Sequence, residues 1–103
     1  MLIYHIVTPS AWSDAQAAGV HAPASLAADG FLHCCRESQV GFVARRFFTG
    51  QDGRLLLGID PAATGATLRW ECSEPGQDSF PHLFGPLPVS AVRSVAPLEP
   101  PAA

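Results

Sequence analysis

The chain has 103 residues, a length for one domain, and it contains no lysine and no asparagine. Without lysine there is no Schiff base and no Walker-type phosphate loop, and without asparagine there is no glycosylation acceptor and no Cys-His-Asn triad. The net charge of -3 excludes a protein that binds polyanions through bulk charge, although a local arginine site for one phosphate is compatible with it.

The cysteines and the N-terminus indicate the cellular compartment of the protein. There are 3 cysteines, and two of them, Cys34 and Cys35, are adjacent, which is not the pattern of a disulfide framework. We therefore expect a reducing compartment, with Cys34 or Cys35 as a small core residue. The N-terminus shows no basic leader region, and no apolar run approaches the roughly 20 residues of a membrane span. These features predict a cytoplasmic protein.

The first predicted elements are a strand and a short helix. Residues 2–7 (LIYHIV) are apolar on both alternating faces, which is typical of a central strand covered on both sides, with His5 in the interior or lining a cleft. Thr8 followed by Pro9 predicts a helix start, and Gly19 predicts its end.

The next segment is predicted to be irregular, apart from a helical turn over 25–28 that ends at Gly30. His21 lies there beside Ala and Pro, and we expect it at the surface. Residues 31–34 (FLHC) predict a second buried strand, with His33 inside the apolar run.

An amphipathic helix is predicted from Glu37 or Ser38 to Phe48, because apolar side chains recur there at spacings of three and four. Those side chains are Val40, Val43, Ala44, Phe47 and Phe48. Arg45 and Arg46 lie beside the stripe. Such arginines usually extend into solvent, but their forked donors also suit a phosphate.

Three further strands are predicted at 55–59, 67–70 and 92–95. Between the last two, residues 80–88 (FPHLFGPLP) contain three prolines and a glycine, so we expect neither a regular helix nor a central strand. The segment is nevertheless strongly apolar, so we expect it to pack on the domain and to wall a cleft that contains His82. One domain over 1–98 and a flexible Pro/Ala tail at 99–103 are predicted.

Three histidines, His5, His33 and His82, occur in apolar settings. A single histidine of this kind is more often a core residue, but each buried imidazole needs partners for two ring nitrogens. Three of them therefore indicate a polar pocket where they converge. Glu71, at the end of a predicted strand, is a candidate acid or base, with a solvated strand end as the alternative.

Two other chemistries stay open. A metal site could use the three histidines with Cys34 or Cys35, but no CxxC, HxxxH or HxH spacing supports it. A Cys-His nucleophile pair is the second, although Arg36 is the only cation beside these thiols.

Five segments are specific in combination, and they are Tyr4-His5-Ile6, Gly30-Phe31-Leu32-His33-Cys34, Arg46-Phe47-Phe48, Trp70-Glu71 and Phe80-Pro81-His82-Leu83-Phe84-Gly85-Pro86-Leu87. Through these motifs the chain, over about residues 2–98, resembles a family of small bacterial proteins called domain of unknown function 952. The sequence departs from the family pattern at Cys35, where serine is usual, and at Phe84, where tyrosine is usual.

That family looks like a minimal ADP-ribosyltransferase-type fold, with small, largely antiparallel sheets around a nucleotide cleft. Its opening strands are similar to those of RNA 2′-phosphotransferases. The resemblance implies that His5 contacts a ribose, that His33 lines the cleft, and that Glu71 or His82 closes it. Those phosphotransferases use several arginines to hold phosphate, and only Arg46 lies in a comparable motif here.

The sequence thus predicts a single α+β domain with mixed or mainly antiparallel sheets and two or three short helices. The predicted catalytic residues are His5, His33, Glu71 and His82. The predicted cofactor-binding residues are Tyr4, His5, His33, Arg46 and Phe84. The predicted ligand is NAD, ADP-ribose or another ribose phosphate. The activity that the resemblance implies is that of an ADP-ribosyl or RNA 2′-phosphate transferase. We expect neither a membrane nor a long nucleic acid as a partner. The alternatives are a non-catalytic binding module with structural histidines and the His/Cys metal site.

Overall fold

The computed structural model describes residues 1–72 and 78–99, so most of the predicted tail lies outside the described residues. The strands are β1 (Ile3–Val7), β2 (Val20–His21), β3 (Leu32–His33), β4 (Leu55–Ile59), β5 (Thr67–Glu71), β6 (Phe80–Phe84), β7 (Leu87–Pro88) and β8 (Val92–Pro97). The helices are α1 (Pro9–Ala18), α2 (Ala24–Asp29) and α3 (Val40–Phe47). Short 3-10 turns lie at Glu37–Gln39, Pro61–Ala63 and Val89–Ala91.

The described strands form three antiparallel sheets, in the orders β1-β4-β8, β2-β7 and β3-β6-β5. This confirms a small α+β domain with antiparallel sheets and few helices. The expectation that β1 is a central strand is wrong in its own sheet, because β4 lies in the middle. The other edge of β1 is joined to the end of β3 by two backbone hydrogen bonds between Tyr4 and Cys35, each 2.8 Å. This bridge links the two three-stranded sheets.

The ends of α1 follow the local signals. The Thr8 hydroxyl accepts a hydrogen bond from the Ala11 amide at 3.0 Å, Pro9 opens the helix, and Gly19 ends it with a φ of 81°. Only glycine adopts this left-handed conformation at low cost, and its amide then donates to the Ala15 carbonyl at 2.7 Å.

The expectation for His21 is wrong, since its side chain is buried with 6% of its surface exposed. The cause is tertiary: Val20 and His21 pair with Pro88 and Leu87 of β7, which draws this short segment against the domain. Nothing in the local sequence signals a two-residue strand whose partner is more than sixty residues away.

The expectation for 80–88 is also wrong, because β6 is the central strand between β3 and β5. The Pro81 carbonyl accepts from the Cys34 amide at 3.2 Å, and in an antiparallel strand the nitrogen of a residue points to the same neighbour as its carbonyl. The proline nitrogen therefore faces the place where β3 ends, and the sheet loses a single hydrogen bond.

Alternation along β6 and β3 divides the second three-stranded sheet into a buried and an outer face. Leu83 and Leu32 point into the core, whereas His82 and His33 share the outer face. The core cluster consists of Ile3, Val7, Leu32, Cys34, Leu57, Ile59, Leu83, Leu87 and Ala91. The expectation of an interior His33 is wrong, because 61% of its side chain is exposed.

The predicted amphipathic helix forms as the 3-10 turn Glu37–Gln39 followed by α3. Ala44 of the apolar stripe is buried, but Phe47 is exposed, so most of the stripe does not enter the core. Arg45 and Arg46 are exposed, as expected for arginines beside the stripe. The apolar side of α3 instead faces a cleft.

Candidate functional site

A cleft of about 790 Å³ lies between three walls. The walls are formed by Tyr4, His5 and Ile6 of β1, by Phe42, Val43, Arg46 and Phe47 of α3, and by His33, Phe80 and His82 of the outer sheet face. Five of the predicted site residues therefore line the same cleft. Glu71 and Phe84 do not line it, and Glu71 is connected to it through His82.

The Gln39 side chain holds α3 over the cleft. Its amide nitrogen donates to the Ser79 carbonyl at 2.8 Å, just before β6, and its amide oxygen accepts from the Arg36 amide at 2.8 Å. Both Gln39 and Arg36 also donate to the Asp78 carboxylate, and these bonds lower the pKa of Asp78. Gln39 is buried, and the sequence offered no signal for this role because all its partners except Arg36 are remote.

His82 is oriented by Glu71 and Phe31. Its Nδ1 donates to Glu71 Oε1 at 2.9 Å, and the Phe31 ring stacks on it with centroids 4.1 Å apart at 17°. The side chain is largely buried, with 13% exposed. This arrangement leaves Nε2 as the nitrogen available to a molecule in the cleft, so the imidazole can accept or deliver a proton there.

His33 has a carboxylate partner of its own. Its Nε2 lies 2.9 Å from Oδ2 of Asp29, the last residue of α2, so Nδ1 is the nitrogen left over. The rings of His33 and His82 meet edge to face, with centroids 5.5 Å apart. Asp29 was not among the predicted site residues. The signal for it was its i,i+4 spacing to His33 across Gly30, which becomes a contact only once the chain turns there.

Both ring nitrogens of His5 are engaged by protein groups. Nδ1 donates to the His33 carbonyl at 2.6 Å, which leaves Nε2 as an acceptor for the Nε2–H of His21 at 3.3 Å. Burial lowers the pKa of His5 to about 4, against the opposing effect of the His33 carbonyl, and the nearby His21 and His33 charges lower it further. His5 is therefore neutral near pH 7 and acts as part of the cleft wall.

The α3 wall combines aromatic rings with one cation. The Arg46 guanidinium lies 5.9 Å from the centroid of the Phe47 ring, and the Phe42 ring stacks near Phe80 with centroids 6.3 Å apart. Aromatic faces bind planar rings, and a guanidinium binds carboxylate or phosphate through forked donors. The wall thus suits a ligand that has both a flat ring and an anionic group.

The family model for "Protein of unknown function (DUF952)" matches residues 6–95. The chain belongs to the DUF952 family. It is also similar to the crystal structure of CC0527 from Caulobacter crescentus, with 37% identity and a TM-score of 0.84 over 96% of this chain and 87% of that one. The solution NMR structure of CC0527 gives 38% identity and a TM-score of 0.78 over 93% and 83% of the two chains. No curated protein matches the chain.

The DUF952 assignment confirms the predicted family and leaves the activity open, because the family is one of unknown function. The likeness to ADP-ribosyltransferases therefore stays a prediction. The helices in the described part of the chain are all too short or too polar to cross a membrane.

The thiols at the cleft of this DUF952 protein are not activated. Cys34 and Cys35 are free and buried, and Cys34 belongs to the core cluster, which confirms that one of the two is a small core residue. Burial raises the pKa of both thiols, that of Cys35 to about 11, so they are protonated near neutral pH and are weak nucleophiles. Within residues 1–72 and 78–99, no group of three or more His, Cys, Asp or Glu side chains is placed to hold a metal ion.

Proposed function

We propose that the cleft binds a small ribose-phosphate ligand of the NAD or ADP-ribose type. The observation that supports this most is that Arg46 and the aromatic wall of α3 line the same cleft as the imidazoles of His33 and His82. A volume of about 790 Å³ falls within the usual range for small-molecule sites.

Each part of such a ligand has a complementary wall. The base packs against the aromatic rings of α3, and Arg46 binds the phosphate. The ribose hydroxyls then lie toward His33 and His82, whose remaining nitrogens form hydrogen bonds with them. The family resemblance implies that His5 contacts the ribose. In our proposal His33 and His82 make this contact instead, because both nitrogens of His5 are bonded to protein groups.

The charge of the chain favours a small ligand over a long nucleic acid. Arg46 is the arginine that lines the cleft, and the net charge is -3, so a polyanion extending beyond the cleft would be repelled by the chain as a whole. Transfer of an ADP-ribosyl or RNA 2′-phosphate group, the activity that the resemblance implies, would take place in this same cleft.

The role of His5 supports part of the alternative, a module with structural histidines. This interpretation suits His5 and His21, whose rings bond to each other, and His5 also bonds to the backbone carbonyl of His33. His33 and His82 differ from them, because each has one nitrogen bonded to a carboxylate and a second nitrogen left for a ligand.

Thermal denaturation with NAD, ADP-ribose and AMP at millimolar concentration tests the proposal. We expect a higher Tm with at least one of them, since a ligand at 100 times its Kd stabilises by about 2.7 kcal/mol. Arg46→Gln should weaken binding roughly tenfold to a hundredfold, the cost of about 1.5 to 3 kcal/mol for a lost charged hydrogen bond.

Arg45→Gln is the matched control, because Arg45 is the exposed neighbour of Arg46 on α3 and does not line the cleft. It should bind the ligand like the unmodified protein. No shift with any of the three nucleotides, or equal weakening by the two variants, would contradict a phosphate site at Arg46.

A further inference from the structure

The outer face of the β3-β6 pair carries two imidazoles that meet in one cleft. His33 and His82 are cross-strand partners, and their ring centroids lie 5.5 Å apart. Each ring is bonded through one nitrogen to a carboxylate, His33 to Asp29 and His82 to Glu71, at 2.9 Å in both cases. A carboxylate partner fixes the tautomer and the orientation of an imidazole and stabilises its protonated form.

The two pairs differ in which nitrogen remains for a ligand and in their access to water. His82 is bonded through Nδ1, which leaves Nε2, whereas His33 is bonded through Nε2, which leaves Nδ1. The His82 side chain is largely buried and the His33 side chain is open to solvent. The ring centroids of His33 and His82 are 5.5 Å apart. At this separation one phosphate group can bond to both rings through hydrogen bonds of about 2.8 Å.

We propose that His33 and His82 act as a general acid and a general base that cleave a ribonucleotide phosphodiester by internal attack of the ribose 2′-hydroxyl. The proposal rests on the ribose-phosphate cleft proposed above, and it names a reaction and a substrate class for that site. Proton transfer between the substrate and a positioned imidazole raises the rate about a hundredfold to ten-thousandfold, and this reaction uses two such transfers.

In the proposed step, Nε2 of His82 accepts the proton of the 2′-hydroxyl as the 2′ oxygen forms a bond to phosphorus. The bond from phosphorus to the 5′ oxygen of the next nucleotide breaks, and Nδ1 of protonated His33 donates its proton to that oxygen. The products are a 2′,3′-cyclic phosphate and a free 5′-hydroxyl. No co-reactant is consumed, and exchange with water restores both imidazoles.

The burial of the two rings assigns the roles. The Nδ1–H group of His82 donates a hydrogen bond to Glu71, which leaves a lone pair on Nε2, so His82 is the general base. His33 is exposed, so it regains a proton from solvent after each turnover. Glu71 and Asp29 are positioning residues, and Arg46 supplies a cation for the phosphate in the same cleft.

The test uses the ribodinucleotide UpA and the same compound with a 2′-deoxyribose at its first position. We expect the unmodified protein to release a uridine 2′,3′-cyclic phosphate from UpA, seen by chromatography and phosphorus NMR, and to leave the deoxy compound intact. His33→Ala and His82→Ala should each lose at least a hundredfold in kcat, and added imidazole should restore part of the activity of His82→Ala.

Two further variants separate chemistry from folding. Glu71→Gln should lower kcat at least tenfold with KM unchanged, because a positioning residue orients His82 without holding the substrate. Arg45→Gln, purified in the same way, should keep full activity.

The outcomes distinguish this inference from the proposed function. If nucleotides raise the Tm through Arg46 but UpA stays intact, the acid-base inference is wrong and the binding site stands. If no nucleotide binds and no cyclic product forms, the proposed binding site and the acid-base inference are both wrong. Cleavage of the deoxy compound, or full activity in His33→Ala or His82→Ala, also overturns the inference.

Discussion

The Nε2 atoms of His5 and His21 lie 3.3 Å apart, and the two rings are tilted by 52°. Since Nδ1 of His5 donates to the His33 carbonyl, His21 is the donor of the bond between the rings, and neither imidazole needs a second proton. The pair joins β1, which forms one wall of the cleft, to the short β2 strand.

The first prediction is that acid destabilises the folded protein through this histidine pair. Burial lowers the pKa of His5 from 6.5 to about 4 and also lowers that of His21, whereas both titrate near 6.5 in an unfolded chain. The unfolded state therefore binds protons at a higher pH than the folded state. The contribution of neutral His5 to stability is complete above about pH 6.5 and is lost as the pH falls toward 4, by up to about 3 kcal/mol.

Urea denaturation between pH 7.5 and 4 measures this loss, and His5→Gln is the reference because Gln does not titrate. The difference in free energy of unfolding between the unmodified protein and His5→Gln should shrink or reverse as the pH falls. A difference that stays constant from pH 7.5 to 4 would show that His5 does not titrate in the way its burial requires.

The second prediction concerns Gly58, which lies between β1 and β8. A Cβ atom there would overlap Ser94 Oγ and would lie 3.3 Å from both Tyr4 Cε1 and Leu2 Cδ1. Overpacking of this kind typically costs about 1 to 3 kcal/mol, so Gly58→Ala should destabilise the protein by that order. Ser94→Ala in the same chain removes the overlapping atom and should recover part of the loss.

Chemical denaturation of the two single variants and the double variant gives the coupling between Gly58 and Ser94. Additive effects would mean that the cross-strand contact between these partners does not limit the space at Gly58.

The third prediction concerns the core face of β6. Leu83 is fully buried in the core cluster, and Leu83→Ala should cost about 2 to 5 kcal/mol through lost burial and a new cavity. Val95 of β8 is 45% exposed, so Val95→Ala should change the free energy of unfolding by less than about 0.5 kcal/mol. Equal effects of the two substitutions would contradict the burial of Leu83 in the core.

The fourth prediction concerns thiol reactivity. Cys72 is exposed, whereas Cys34 and Cys35 are buried and burial raises their pKa. In the native protein at pH 8, a thiol-specific reagent should modify Cys72 rapidly and the other two far more slowly, and all three should react in denaturant. Cys72→Ser should remove the fast phase; if a fast phase remains in that variant, the adjacent pair is more accessible than its burial implies.

The sequence by itself determined the features that depend on neighbouring residues. Thr8 and Pro9 start α1 and Gly19 ends it, because a side-chain cap, a fixed φ and a left-handed residue act within one turn of helix. The strand at 55–59 followed in the same way from a run of apolar residues between turn signals. The motifs also marked five residues that line the cleft.

Tertiary structure decided the features that depend on pairing between distant segments. Pro81 is tolerated in a central strand because its nitrogen faces the end of β3, and His21 is buried because β7 pairs with β2. Asp29 and Glu71 became partners of His33 and His82 only when the chain brought them together. A hydrogen bond needs a distance and an angle, and for these residues the fold supplies both.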